Sequence, residues 1–119
     1  MDNLLVRGIE EFNRQYFFEA HDLWEKLWNE TSGEDRLFYQ ALIQTAVGFH
    51  HLTNGNAKGA CSQFGKALRK LDRYVPCYQG IDTARLVEHI RSSLLVAEEM
   101  RTTGTLQSNV LSIPTIECC

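Results

Sequence analysis

The sequence predicts an all-α fold, a single compact bundle of about five helices followed by an extended C-terminal tail. Apolar residues recur three and four positions apart over most of the chain, which is the period of a helix that buries one face. Both prolines come late, at Pro76 and Pro114, so no earlier residue breaks a helix covalently. Residues that cap helices or form turns stand between the periodic segments. Together these signals divide the chain into its helical segments.

Two helices are predicted before the first turn. Helix 1 has one apolar face and takes Asp2 or Asn3 as its cap. That face consists of Leu5, Ile9, Phe12 and Tyr16. Helix 2 begins near Phe17 and has two neighbouring stripes of apolar and aromatic residues, so most of it should be buried. The stripes consist of Phe17, His21, Trp24 and Trp28, and of Ala20, Leu23 and Leu27.

The third helix is predicted to lie in the middle of the bundle. A turn at Thr31–Asp35 ends helix 2, and helix 3 begins near Glu34. Helix 3 is apolar nearly all the way round, which is typical of a helix surrounded by others. Its apolar residues are Leu37, Phe38, Ala41, Leu42, Ile43, Ala46, Val47, Phe49 and Leu52. It ends at Asn54–Gly55, and Asn56 caps the next helix, which predicts a tight helical hairpin.

Helix 4 has the clearest amphipathic pattern. Its apolar side consists of Ala57, Ala60, Cys61, Phe64, Ala67, Leu68 and Leu71. The opposite side holds Lys66, Arg69, Lys70 and Arg73, which we interpret as a solvated face rather than an anion-binding one, since long cationic side chains commonly occupy exposed helix positions.

The last helix and the tail follow a loop at residues 74–83. This loop contains Pro76 and Gly80, and Asp82 is predicted to cap helix 5. Helix 5 presents Leu86, Ile90, Leu94 and Ala97 on one face. The helical pattern fails from Thr103, so we assign residues 1–103 to the bundle and residues 104–119 to the tail. The tail is expected to lie extended across the bundle through Val110, Leu111, Ile113 and Ile116.

Composition excludes several classes of protein. A net charge of -3 argues against a nucleic-acid partner, because such proteins usually carry a basic excess. No apolar run approaches the roughly eighteen residues of a membrane helix, and Met1–Asn3 does not begin an export signal, so we expect a soluble, cytoplasmic protein. The four cysteines lack a CxxC spacing and are predicted to be free thiols. Oligomeric state stays open.

Polar residues form one stripe on each of helices 2 and 3. His21, Glu25 and Trp28 fall within about 60° on a helical wheel. A second stripe, within about 40°, consists of Gln40, Gln44 and His51. If the two helices pack antiparallel through their short connection, the stripes face each other across a polar pocket. His50 lies about 100° from His51 and is therefore placed outside this pocket.

Three interpretations of the pocket are open. The first is a network of paired polar groups that only fixes helix packing. The second is a site for a divalent metal on His21, Glu25 and His51, with one open coordination position. The third is a site for a small polar ligand between Gln40, Gln44 and Trp28, with Glu25 and His21 as catalytic acid and base. Whether the protein is an enzyme or a structural or protein-interaction module therefore stays undecided. Trp24 and Trp28 are predicted core residues.

The same residues resemble a known family, that of the domain of unknown function 309, whose HxxxExxW/Y motif is here His21, Glu25 and Trp28. The likeness covers roughly residues 10 to 72 and extends to Phe17–Asp22, Gln40–Gln44, His51, Gly55–Asn56 and Gly59–Ala60. Two positions depart from the family pattern, since Ala41 replaces a glycine and Asp22 a glutamate. The resemblance implies an all-helical fold and a metal-binding role for the motif, with no assigned reaction.

Overall fold

The computed structural model describes residues 2–104 and 113–119, and these residues form the predicted helical bundle. Its five α-helices are α1 (Asn3–Asn13), α2 (Phe17–Glu30), α3 (Glu34–Thr53), α4 (Ala57–Leu71) and α5 (Thr83–Thr103). A short 3-10 turn, Asp72–Tyr74, follows α4. Between this turn and α5 lies a small antiparallel hairpin of β1 (Cys77–Tyr78) and β2 (Ile81–Asp82), which the sequence pattern did not predict.

Three of the helices begin at the caps that the sequence predicts. Asp2 accepts a hydrogen bond from the Leu4 backbone N–H at 2.8 Å. Asn56 and Asp82 cap α4 and α5 in the same way, each accepting at 3.0 Å from an N–H of the first turn. Gly55 takes the left-handed conformation, φ 78°, that ends α3 and turns the chain into α4. The starts of α1, α4 and α5 thus follow from local capping chemistry, whereas α2 and α3 begin without a side-chain cap.

The helices pack mainly against their neighbours in the chain, with α3 between α2 and α4. Trp24 and four phenylalanines, among them Phe49 and Phe64, form the fully buried aromatic core. Gly48 permits this packing, since a Cβ there would lie 2.5 Å from the Phe64 ring. Burial of each such ring contributes about 1.5–3 kcal/mol. The central position predicted for helix 3 is confirmed.

Two sequence predictions need correction. Tyr16 does not belong to the face of helix 1, because α1 ends at Asn13 and Tyr16 is exposed in the connection to α2. The four cysteines are not all free, since Cys77 and Cys119 form a disulfide with their Cα atoms 5.9 Å apart. Cys61 and Cys118 are free thiols, as predicted.

The described part of the tail lies against the bundle as an extended segment. Ile116 is buried, and Cys118 pairs with Ile81 in an antiparallel bridge beside the hairpin. Val110 and Leu111, which were also predicted to contact the bundle, lie outside the described residues. Among the described helices, none is long and apolar enough to cross a lipid bilayer.

Candidate functional site

Helix α2 is held in a fixed rotation by its buried face. Trp24 is fully buried, and its Nε1–H donates to the backbone carbonyl of Leu5 at 3.2 Å. Gly8 lets α1 approach this ring, since a Cβ there would lie 2.0 Å from Trp24 Nε1. With Trp24 directed into the core, His21 and Glu25 lie on the flank of α2. The prediction that Trp24 is a core residue is confirmed.

The central polar contact of the site joins His21 and Glu25. His21 Nε2 lies 2.9 Å from Glu25 Oε2, across one helical turn. The His21 side chain is 23% exposed and that of Glu25 is 51% exposed, so solvent reaches the carboxylate more readily than the imidazole. His21 Nδ1 lies 3.4 Å from Asp22 Oδ1. That approach does not make a hydrogen bond, and Nδ1 is buried without a partner.

The first of two cavities between α2 and α3 contains His21 and has a volume of about 200 Å³. It is lined by Phe17, Phe18, His21, Val47 and His50. The Phe18 side chain is half exposed, with its ring centroid 5.7 Å from that of His21 and 6.0 Å from that of His50. His50 therefore lines this cavity together with His21, although the sequence analysis placed it outside the predicted pocket.

The second cavity, also about 200 Å³, lies one turn further along α2. It is lined by Glu25, Trp28, Gln40, Ile43 and Gln44. Arg36 covers the Trp28 ring, with its guanidinium carbon 3.7 Å from the ring centroid, a cation–π contact. Gln44 Oε1 is buried without a hydrogen-bond partner. The structure thus brings four predicted residues, Glu25, Trp28, Gln40 and Gln44, to one cavity.

His51 lies elsewhere, at the corner between α3 and α4. Its Nδ1 is 3.2 Å from the side-chain amide nitrogen of Asn56. Its ring lies against Gly59, where a Cβ would come within 2.8 Å. The predicted metal ligands His21, Glu25 and His51 are therefore not brought together. Residues 2–104 and 113–119 contain no group of three His, Cys, Asp or Glu side chains able to hold a metal ion.

The sequence analysis predicted His51 at the cavities between α2 and α3, whereas the structure has His50 there, and this difference has a geometric cause. A helical wheel treats a face as parallel to the helix axis, whereas packed helices cross at an angle. The row of α3 that contacts α2 consequently shifts around the helix along its length. The residues of α3 that line the two cavities are Gln40, Ile43, Gln44, Val47 and His50. Steps of three and four residues from Val47 lead to both His50 and His51, so the spacing alone does not choose between them.

Two other cavities lie away from the two between α2 and α3. One, about 300 Å³, lies between α1 and α2 and is lined by Arg7, Glu10, Glu11, Glu19, Asp22 and Leu23. The other, about 510 Å³, lies between the start of α3 and the hairpin and is lined by Gly33, Glu34, Leu37, Arg73, Tyr74 and Tyr78. There the Tyr78 hydroxyl donates to Asp35, and this hydrogen bond raises the pKa of Tyr78 to about 12.

The fold and the site define a class, that of small all-helical bundle domains with a histidine–glutamate pair on the flank of the second helix. The model of the family described as "Domain of unknown function (DUF309)" matches residues 5–62. The matched family is the one that the sequence resembles. The matched span includes most of α1, all of α2 and α3 and the beginning of α4. It therefore contains both helices that line the two cavities. No curated protein matches the chain.

Proposed function

We propose that the groove between α2 and α3 binds a small polar molecule that carries an amine group. The groove consists of the two cavities described above, which His21 and Glu25 connect through their 2.9 Å contact. His21, Glu25, Gln40 and Gln44 supply its polar groups, and Phe18 and Trp28 supply aromatic surface at its two ends. Small-molecule sites typically combine apolar walls with a few polar groups of this kind.

The observation that carries the proposal is a pair of buried hydrogen-bonding atoms without partners. In the described part of the chain, the buried side-chain atoms that lack a hydrogen bond are His21 Nδ1 and Gln44 Oε1. Both belong to side chains that line the groove. Leaving such an atom unpaired costs about 1–3 kcal/mol, so each unpaired group in a native protein needs a reason. A ligand that pairs with them would supply one.

Gln44 Oε1 is an acceptor, and His21 Nδ1 is one in the tautomer whose Nε2–H donates to Glu25, which indicates the chemistry of the ligand. When the Nε2–H of neutral His21 donates to Glu25, Nδ1 is left as the acceptor nitrogen. Gln44 Oε1 is a carbonyl oxygen. A complementary ligand must therefore donate hydrogen bonds. The Glu25 carboxylate in the same groove favours a donor that also carries positive charge, such as a protonated amine.

A purely structural role for the polar residues agrees less well with these contacts. A network that fixed helix packing would be satisfied internally, since a partly satisfied buried network is costly. Among the described residues, neither Gln40 nor Gln44 donates to or accepts from His21 or Glu25. The half-exposed Glu25 is instead available to solvent and to a ligand. Where a bound amine reacts, Glu25 and His21 are the groups placed to exchange its proton.

The test is ligand-induced stabilisation, since a molecule that binds only the native state raises its melting temperature. Ethanolamine and other small primary amines would be titrated, each beside the alcohol of the same skeleton, such as ethylene glycol. We expect the amines to raise Tm and the alcohols to leave it unchanged. Glu25→Gln should abolish the shift. Glu19→Gln, which removes the same charge from an exposed position of α2 outside the groove, should retain it.

Two results would contradict the proposal. Equal stabilisation by the amine and its alcohol would remove the argument from charge. Absence of any shift across the panel would favour the alternative that the polar residues serve only helix packing or a protein contact.

A further inference from the structure

The hairpin β1–β2 and the last described segment, residues 113–119, form a second unusual region, called here the tail junction. We propose that the Cys77–Cys119 disulfide is a reversible lock on this junction, opened by a dithiol reductant and closed by oxidation. The inference does not depend on the ligand proposed for the groove. It concerns residues outside 5–62, the part of the chain that the family model matches.

The non-covalent contacts between tail and hairpin are few. The Asp82 N–H donates to the Glu117 carbonyl at 2.8 Å, and the Cys119 N–H donates to the Gly80 carbonyl at 3.1 Å. The tail thereby extends a hairpin whose strands are only two residues long. Isolated two-stranded hairpins are marginally stable in water. The disulfide is therefore the strongest restraint that keeps the tail on the hairpin.

A second contact connects the tail to the corner between α1 and α2. The Asn13 side chain donates to the Ile116 carbonyl at 3.0 Å and accepts from the Ile116 N–H at 2.7 Å. Ile116 is 5% exposed, so its side chain must leave the core if the tail detaches. The α1–α2 corner leads directly into Phe17, the first residue of α2. Detachment of the tail after the lock opens would thus release restraints at both the hairpin and this corner.

The sulfur atoms are in a suitable environment for exchange. Cys77 and Cys119 are both exposed residues, so a reductant can reach the bond. Cys118 is exposed and free, and as a neighbour in an extended strand its side chain points to the opposite face from that of Cys119. Burial raises the pKa of the Cys61 thiol, which disfavours the thiolate that exchange requires. The chemistry is therefore confined to the tail junction.

The proposed step is thiol–disulfide exchange with a dithiol. One thiolate of the reductant attacks a sulfur of the Cys77–Cys119 bond and forms a mixed disulfide, releasing the other cysteine as a thiolate. The second thiol of the reductant then closes its own disulfide. Two electrons and two protons pass to Cys77 and Cys119, and the reductant is oxidised. Protein disulfides in reducing compartments are usually transient and redox-sensing.

The first experiment counts thiols in the whole chain. Protein purified without reductant would be denatured, alkylated with iodoacetamide and weighed by mass spectrometry, before and after treatment with dithiothreitol. Two adducts are expected before reduction, on Cys61 and Cys118, and four after it. Four adducts in the untreated protein would overturn the proposal.

The second experiment measures hydrogen exchange at the junction. Reduction should remove the protection of the Asp82, Ile116 and Cys119 amides, and oxidation should restore it. Cys118→Ser is the matched control and should behave as the parent chain does, whereas Cys77→Ser should lack protection without any reductant. If Cys77→Ser fails to fold, the reduced parent chain supplies the same measurement. Protection that survives reduction, or that oxidation does not restore, would contradict the lock.

Discussion

The groove between α2 and α3 differs from the tail junction in the hydrogen bonding of its polar groups. In the groove, His21 Nδ1 and Gln44 Oε1 are buried without partners. Where the tail junction meets the helices, the Asn13 amide pairs with the Ile116 backbone through both of its polar atoms, and the Tyr78 hydroxyl donates to Asp35. Unpaired buried groups cost stability and paired ones do not. The difference agrees with a stabilising role for the junction and with the binding role proposed above for the groove.

The largest expected effect comes from removing the disulfide. Cys77→Ser should lower the free energy of unfolding by about 2–4 kcal/mol, because the bond closes a long loop and restrains the unfolded chain. The two cysteines are 42 positions apart in sequence. Urea denaturation without reductant measures the change. Cys118→Ser should stay within about 0.5 kcal/mol of the parent chain, as exposed substitutions usually do. Equal stability of the two variants would refute a stabilising role for the junction.

A smaller loss is expected at the corner between α1 and α2. Asn13→Ala removes both hydrogen bonds to the Ile116 peptide group and should cost about 1–3 kcal/mol, since that group lies beside a buried side chain. Asn29→Ala, at an exposed position of α2, is the control and should change stability little. Urea denaturation compares the two. A loss as small as that of Asn29→Ala would mean that the tail does not depend on Asn13.

In the groove, we expect a substitution to leave the free energy of unfolding unchanged or to raise it, which is the opposite of the losses expected at the junction. Gln44→Leu removes a buried unpaired carbonyl and retains most of the side-chain volume, so stability should be unchanged or rise by up to about 1 kcal/mol. The same variant should bind amines more weakly, which calorimetric titration would measure. A clear loss of stability would show that Gln44 is paired in solution and would remove the contrast between the two regions.

The smallest expected effect on the free energy of unfolding comes from Tyr78 and appears only at high pH. The pKa of Tyr78 is raised to about 12 in the folded protein, above its ordinary value of 10.0. The folded state therefore holds this proton more tightly than the unfolded state does. The resulting stabilisation is fully present below pH 10 and is lost as the pH rises towards about 12. Tyr78→Phe should lack this component in a pH series of denaturation curves, and parallel curves for the two chains would contradict the assignment.

Local signals account for the parts of the fold that were predicted correctly. Asp2, Asn56 and Asp82 act on N–H groups two or three residues away, so their capping role is visible in the sequence. The His21–Glu25 contact spans one helical turn and was predictable for the same reason. Gln40 and Gln44 were correctly assigned to the face that meets α2. In the caps and in the His21–Glu25 pair, the interacting groups belong to one helix or one turn.

The choice between two adjacent histidines needed the tertiary structure. His50 and His51 differ by one position, and only the crossing of α2 and α3 determines which of them reaches the groove. His50 lines the cavity with Phe18, and His51 lies against Gly59. The predicted metal ligands included His51 because the helical wheel treats each face as parallel to the helix axis. The packing angle is a property of two helices together, and neither sequence segment contains it.

The sequence by itself determined the helices, the caps of α1, α4 and α5, the central position of α3 and the polar pair His21–Glu25. These features depend on helical periodicity and on contacts within a turn, which a linear pattern records. The tertiary structure decided that His50 enters the groove, that Gln44 is left without a partner and that Cys77 meets Cys119. Each of these depends on segments brought together by packing of the whole chain, and no local pattern encodes the distance between them.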